Sequence, residues 1–552
     1  MPIQSIITSS LEKIFPDKSP LPCSTRFTML KNDVLSFQLV LRPDLPDIVR
    51  TDAVISVDSP LAECIRVQRV DLVPSMLPVN DSRDGNILSD QPGLFPDLLT
   101  PLSEGKTFLL NRRWTALWVE IETNDATVAG TYPITITATS LTHPDEQAVV
   151  RTEVEIMDAV LPKQDLIVTE WFHGDCIADY YQIPVFSETH WEYMRRQIQL
   201  GARRGLTMIL TPIFTPALDT AVGGERTTIQ LVDVSRQDGV YSFGFEKLER
   251  WVRMCQECGI EYFEMAHLYT QWGAKHCPKI MGYEDGSVKK LFGWEQDALS
   301  EDYRGFLSAF LPQLTKELER LGIEKKTVFH ISDEPSERSL EQYNAVRAQV
   351  QGYLADYRIM DAMSDYRFFT EGVCENPVIA TDALTPFLEG QRPEDLWVYY
   401  CCGQGYQTSN RFFGMPSARN RIIGTQFYKY NVKGFLQWGF NFYNSCLSLR
   451  HINPFQVTDG EMAFPSGDPF VVYPGDGGEP LESIRMMVFQ EALTDLRALK
   501  LLEQLTSREH VMALLEDGIA APITFTQYPQ DASYLLTLRL RVNEEIQAHM
   551  QA

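Results

Sequence analysis

Two neighbouring carboxylates are the sharpest chemical feature of the sequence. In TVFHISDEPSE an apolar run beginning at Thr327 leads straight into Asp333 and Glu334, with Pro335 behind them. If both face a pocket, their like charges raise one pKa and keep one group protonated near neutral pH, as a general acid requires. If they face solvent, Ser or Asp, then Glu, then Pro is an ordinary helix start, with capping side chains and Pro in the first turn. Both readings can hold where a strand ends and a helix begins.

Adjacent acids do not suit a hydrolase whose two carboxylates flank the bond to be broken, since those stand about 5–5.5 Å or 6.5–9.5 Å apart. They suit a substrate that carries its own nucleophile. In that scheme a 2-acetamido oxygen attacks, one carboxylate orients and charge-stabilises the acetamido N–H, and the other protonates the leaving oxygen.

Something must bring such residues to one end of a scaffold. From about residue 165 apolar runs alternate with helix-length segments. The expected strands are LIVTEWFHGD, LTMILTPIF, IEYFEMAHLY, TVFHISDEP, YRIMDAMSD, NPVIATDAL, DLWVYYCC and GFLQWGFNF. Several intervening segments end in Gly, a frequent helix stop. Eight strands over about 285 residues fit a (β/α)8 TIM-type barrel with insertions. An open doubly wound sheet fits less well, because no G-x-G-x-x-G follows the first strand. The first 160 or so residues hold short alternating runs (VLSFQLVLRPD, RVDLVPSML, TALWVEIETND, TYPITITATS, VVRTEVEIMD) and suggest an N-terminal β-sandwich. The expected division of this α/β chain is 1–162 sandwich, 163–455 barrel and 456–552 a loop followed by a C-terminal helical extension.

Active sites of such barrels gather at the C-terminal ends of the strands. Those ends offer Trp171, His173, Asp175, His267, Trp272, His330, Asp361, Asp365, Asp382, Tyr399, Tyr400, Trp438, Asn441 and Tyr443. The set is rich in carboxylates and aromatics and poor in metal-ligand spacing. That profile fits a sugar, whose C–H face packs on aromatic rings while carboxylates and amides take its hydroxyls. Trp171, His267, Trp272, Tyr399, Tyr400, Trp438 and Asn441 are the candidate substrate contacts. Side chains alternate along a strand, so only one of Tyr399 and Tyr400 is expected to point inward. His267 reads equally well as a buried structural histidine. Cys255 and Cys258 form a lone C-x-x-C without a second pair, which reads as packing. Arg485, Glu491 and Asp495 read as structural groups bonding the last helix to the barrel.

Bulk properties narrow the partners. The chain has 552 residues, 49 basic and 74 acidic, for a net charge of -25. That surface repels phosphate backbones and anionic lipid and is compatible with a neutral sugar. There is no apolar run of about 18 residues to span a membrane. MPIQSIITSSLEKIF lacks the basic start and apolar stretch of a signal peptide. With ten scattered cysteines, the expectation is a reduced, cytoplasmic protein.

HISDEP, preceded by HLYTQWGAKHCPKI and followed by LWVYYCC, GFLQWGFNFY and YPG…ESIR, resembles the family 123 glycoside hydrolases, many of whose relatives carry only the label DUF4091. The resemblance is strongest from about 165 to 500. It implies a sandwich, a (β/α)8 barrel and a retaining exo-β-N-acetylgalactosaminidase with neighbouring-group participation, and it implies no metal or organic cofactor. It gives Asp333 the acetamido-orienting role and Glu334 that of general acid/base. Tyr399 or Tyr400 would donate to the acetamido oxygen, and Trp438 would wall the pocket. The implied partner is a glycan or glycolipid ending in an N-acetylhexosamine, and a homo-oligomer is compatible with it. The rival expectations are a related glycosidase or hexosaminidase of different sugar specificity, and a non-catalytic carbohydrate-binding protein.

Overall fold

The computed structural model describes residues 3–24, 26–46, 48–335 and 337–551. The fold is mixed α/β. The chain opens with two five-stranded sheets. One runs Ile3–Ser9, Val34–Pro43, Thr115–Glu122, Ile65–Ser75, Gly93–Pro101, antiparallel throughout. The other runs Arg26–Lys31, Gln147–Val160, Gly130–Ser140, Arg50–Asp58, Lys106–Leu110, with its first pair parallel. Alternation explains their facing: Phe37, Leu39 and Leu41 of one sheet share a core with Ala53, Ile55, Ile134 and Ile136 of the other. All five apolar runs expected in this region are strands, and five further strands accompany them.

After Leu161-Pro162 the connectivity changes to parallel strands with helices between them. The strands run in the order Arg358–Ile359, Thr327–Phe329, Tyr262–Met265, Met208–Thr211, Ile167–Glu170, Gly434–Gln437, Trp397–Tyr399, Pro377–Ala380, Asp361–Ala362. All eight expected runs supply strands. YRIMDAMSD supplies two, interrupted at Met360, and these are the two ends of the sheet. Nine parallel pieces therefore make a nearly closed barrel.

Helices follow the strands, among them Glu188–Arg203, Glu246–Glu257, Glu301–Leu321 and Leu340–Val350. Their starts obey capping chemistry: Ser187 accepts from the His190 N–H and Ser300 from that of Tyr303. Gly322 closes the third in the left-handed conformation, as a C-cap glycine does. The segments after Thr211 and after Met265 make an excursion, pairing as a four-stranded sheet of Val240–Gly244, Asp233–Gln237, Ile280–Glu284 and Ser287–Phe292. No helix among the described residues is long and apolar enough to cross a membrane.

Buried ion pairs join the parts. Arg204 bonds Glu120 of the first sheet and Glu482. Arg485 is clamped on Asp97 at 2.8 Å through two nitrogens. Arg421 bonds both Glu491 and Asp495 of the helix Ile484–Leu505, so all three candidates on that helix are structural. The N-terminal loop near residues 80–86 also reaches the barrel. Asn80 donates to the Cys402 carbonyl at 2.6 Å, and fully buried Arg419 bonds Asp84 at 2.9 Å. Gly405 passes so close that a Cβ there would lie 2.2 Å from the Asn80 side-chain oxygen.

Candidate active site

A cavity opens at the C-terminal ends of the parallel strands. Trp171, Leu218, Asp219, Trp272, Asp333, Glu334, Ala362, Tyr399, Cys401, Cys402, Leu436, Trp438 and Phe464 line it. Both candidate carboxylates and four of the seven candidate contacts are thus in one place.

The carboxylates follow the strand Thr327–Phe329 on a short loop. Leu340–Val350 is the next α-helix, six residues beyond Glu334, so the pair does not form an α-helical N-cap. Glu334 has a φ of +43°, a left-handed conformation that a non-glycine residue adopts only under constraint. This twist presents two consecutive side chains to the same cavity, which an extended strand cannot do. The Trp272 N–H holds the Asp333 carbonyl at 2.9 Å, and the Tyr399 hydroxyl donates to Glu334 Oε1 at 2.9 Å. Asp333 is the deeper acid and Glu334 is exposed at the mouth. Burial, then the neighbouring Glu334 charge, raises the Asp333 carboxyl well above its usual range, with His330 opposing.

A buried polar layer lies below. Glu264 accepts from the Trp171 indole at 2.8 Å and from Thr169 at 2.7 Å, and its Oε1 lies 2.6 Å from His330 Nε2. The other His330 nitrogen is 3.5 Å from Asp361, which accepts from Tyr343 at 2.6 Å and from the Ile331 N–H at 2.9 Å. Burial alone would lower the His330 pKa. The hydrogen bond to Glu264 and the charges of Glu264 and Asp361 overcome it and hold the group at about 10. His267 stacks on that ring at 4.6 Å, and burial together with the His330 charge keeps it neutral.

His267, His330 and Asp361 have ligand atoms within 4.8 Å of one another. As a metal site they are poorly arranged. The imidazoles lie face to face at 23°, so their lone pairs run side by side instead of converging. Asp361 is already committed to hydrogen bonds, and the described geometry suits a proton better than a metal ion.

Three expected contacts do not line the cavity. Tyr400 faces the outside of the barrel, packs on Phe435 and bonds Asn420, because side chains alternate and its neighbour Tyr399 takes the inner face. Asn441 is fully buried and braces the chain, accepting from the His173 N–H at 2.7 Å and donating to Gln197 at 2.9 Å. His267 sits beneath the floor beside Trp171. Of the wider set, His173 and Asp175 are tied to Arg226, Asp365 caps the short helix Tyr366–Thr370, Asp382 accepts from Gln404, and Tyr443 donates to the Val472 carbonyl. Cys255 and Cys258 are free thiols, the first fully buried, as packing residues would be.

Seven lining residues lie outside the expected set: Leu218, Asp219, Ala362, Cys401, Cys402, Leu436 and Phe464. Cys401 and Cys402 are within the expected run DLWVYYCC, and adjacency to Tyr399 was the available signal. Asp219 lies in the long excursion after Met208–Thr211, and Phe464 in a loop far from any strand end.

Behind the wall, Asp468 accepts from the Trp438 indole at 2.9 Å and from Gln437 at 3.0 Å. Burial pushes its carboxyl up to about 7, with Arg411 opposing. The folded state therefore holds this proton more tightly than the unfolded chain. The stabilisation is full below about pH 4 and is lost as pH rises through about 7. Asp468→Asn should remove that slope. Relative to wild type, the variant should gain roughly 1–3 kcal/mol between pH 5 and pH 8 in denaturant melts. A pH-independent difference would contradict the assignment. Any constant offset reflects the donor–donor contact with Gln437.

The family model described as Glycoside hydrolase 123, catalytic domain, matches residues 171–502. No curated protein matches. Among solved structures, a family 123 glycoside hydrolase from Clostridium perfringens, studied for glycolipid glycan hydrolysis, superposes with a TM-score of 0.76 at 16% identity, covering 99% of this chain and 98% of that one. A glycoside hydrolase family 5 mannosidase from Rhizomucor miehei reaches a TM-score of only 0.31 at 10% identity, over 66% of this chain and 97% of that one, and carries no argument.

Proposed function

The chain belongs to glycoside hydrolase family 123, and on that premise we propose that it is a retaining, exo-acting β-N-acetylgalactosaminidase whose substrate supplies the nucleophile. The observation that supports this most is the placement of Asp333 and Glu334 on one loop, both lining one cavity. Carboxylates on a single short loop are poorly placed to stand on opposite faces of a sugar. They can serve a ring whose own acetamido group attacks from below.

In this reading the acetamido oxygen attacks C1 as the C1–O bond breaks. Glu334, at the mouth, gives its proton to the leaving oxygen. Asp333 accepts the acetamido N–H and balances the charge growing on the five-membered ring. Glu334 then takes a proton from the water that reopens that ring at C1, and two inversions restore the configuration. Burial and the neighbouring Glu334 charge both favour the protonated form of Asp333. An acetamido N–H donating to Asp333 favours its ionised form, which balances the charge growing on the five-membered ring. Trp171 and Trp438 supply apolar walls, and Tyr399 holds Glu334.

The partner we propose is the terminal N-acetylhexosamine of a neutral glycan or glycolipid. We read the fold as a (β/α)8 barrel, counting Arg358–Ile359 and Asp361–Ala362 as one strand, with residues 1–162 as a β-sandwich, 163–455 as the barrel and 456–552 as a loop and helical region.

The test is a panel of 4-nitrophenyl β-glycosides of GalNAc, GlcNAc, galactose and glucose. We expect turnover of GalNAc alone, with Asp333→Asn lowering kcat by about 10²–10³-fold. Galactose or glucose cleaved at comparable rates would sink the mechanism, since neither carries the nucleophile. Equal rates on GalNAc and GlcNAc would keep the mechanism and remove the sugar assignment.

A further inference from the structure

The cavity contains a third carboxylate that the mechanism does not use. We propose that Asp219 binds ring hydroxyls of the terminal sugar, on the C3, C4 or C6 side, and so helps set which sugar is accepted. The proposal rests on the reading of the cavity as a sugar site.

Asp219 lines the same cavity as Asp333 and Glu334 and is close enough for its charge to act on Asp333. It is built in place. Its Oδ2 accepts from the Leu447 N–H at 2.8 Å and its carbonyl accepts from the Ser448 hydroxyl at 2.7 Å. Asp219, Leu447 and Ser448 all have positive φ, at 39°, 55° and 52°, so two strained turns are locked together to aim this side chain. On the next residues, Gln271 donates to the Thr220 carbonyl and Arg226 to that of Leu218. Asp219 Oδ1 has no protein partner among the described residues.

The rest of the lining makes this oxygen matter. Leu218, Ala362, Leu436 and Phe464 offer no hydrogen bonds, and the Trp438 indole N–H is spent on Asp468. Asp333, Glu334 and Tyr399 are engaged with the reacting end. Ring hydroxyls far from the acetamido group therefore have Asp219 as their strong acceptor. A carboxylate can take two neighbouring hydroxyls, and the geometry it accepts depends on whether the 4-hydroxyl is axial or equatorial.

The experiment is a binding cycle with non-hydrolysable 1-thio-β-glycosides of N-acetylgalactosamine and its 3-, 4- and 6-deoxy forms, on wild type, Asp219→Ala and Asp219→Asn. Asparagine can still accept from Leu447, so it separates charge from shape, and thermal melts report folding. We expect wild type to lose about 10- to 100-fold in affinity for one or two deoxy sugars. Asp219→Ala should lose a similar factor on the parent sugar and little more on those same analogues. An equal loss on all four ligands, or none, would overturn the proposal while leaving the sugar site intact. Failure of wild type to bind any of the four would instead overturn the sugar reading, and this proposal with it.

Discussion

Glu334→Gln is expected to lower kcat/KM for an alkyl N-acetylgalactosaminide by about 10²–10⁴-fold, with no change in melting temperature. The substitution removes a transferable proton and little else. Glu334 is exposed, and its hydrogen bond from Tyr399 survives because a glutamine oxygen also accepts. Gln has the same Cβ and branching, so the cost of the left-handed φ of 43° is unchanged. The signature is dependence on the leaving group. A 2,4-dinitrophenolate departs without a proton, so the loss in the first step should shrink to about tenfold or less there. Asp333→Asn should behave differently, losing a similar factor on both leaving groups, because it acts on the acetamido side. An equal loss for Glu334→Gln on both substrates would remove it from the acid role.

Arg411→Met should lower the unfolding free energy by about 3–5 kcal/mol. The guanidinium is buried and donates to Glu170 at 2.9 Å, to the Gln437 side chain, and to the carbonyls of Gly439 and Gly467 at 2.8 and 3.1 Å. Methionine fills similar space but leaves buried Glu170 without its partner and several acceptors without donors. Lysine should rescue little, since one ammonium cannot serve a planar fork of acceptors. Urea melts followed by tryptophan fluorescence give the measurement. A loss below about 1 kcal/mol would show that water replaces the guanidinium. Activity should fall as well, because Arg411 offsets the rise in Asp468 and Asp468 holds Trp438.

The parallel strands were legible because strands buried on both faces are continuous apolar runs, and all eight runs held strands. Asp333 and Glu334 were legible because such a run ends on them. The alternation rule left Tyr399 and Tyr400 as an open pair, and the structure chooses Tyr399. Other features carry no such signal. Gly93–Pro101 contains Pro96, which argues against a central strand, and the observed strand is at a sheet edge, where proline is tolerated. Asp219 lies at no strand end, because a turn locked by Leu447 and Ser448 delivers it from a distant excursion. Asn441 and Tyr443 stand near the right strand end but spend their polar atoms on other backbone and on the Gln197 side chain. Pattern locates a Cα along the chain, whereas tertiary packing decides where the side chain's hydrogen bonds go.

The grip of Asn80 on the Cys402 carbonyl, and of Asp84 on Arg419, means that part of the cavity wall is shaped by a segment that does not itself line the cavity. Those residues lie before position 171, outside the stretch by which the family is recognised. A barrel excised at that boundary would therefore be a different receptor, with the Cys401–Cys402 wall released from its brace. In a lineage of such enzymes, selectivity could drift through changes at residues 80–86 while every lining side chain stayed the same. Comparing lining residues alone would miss that history.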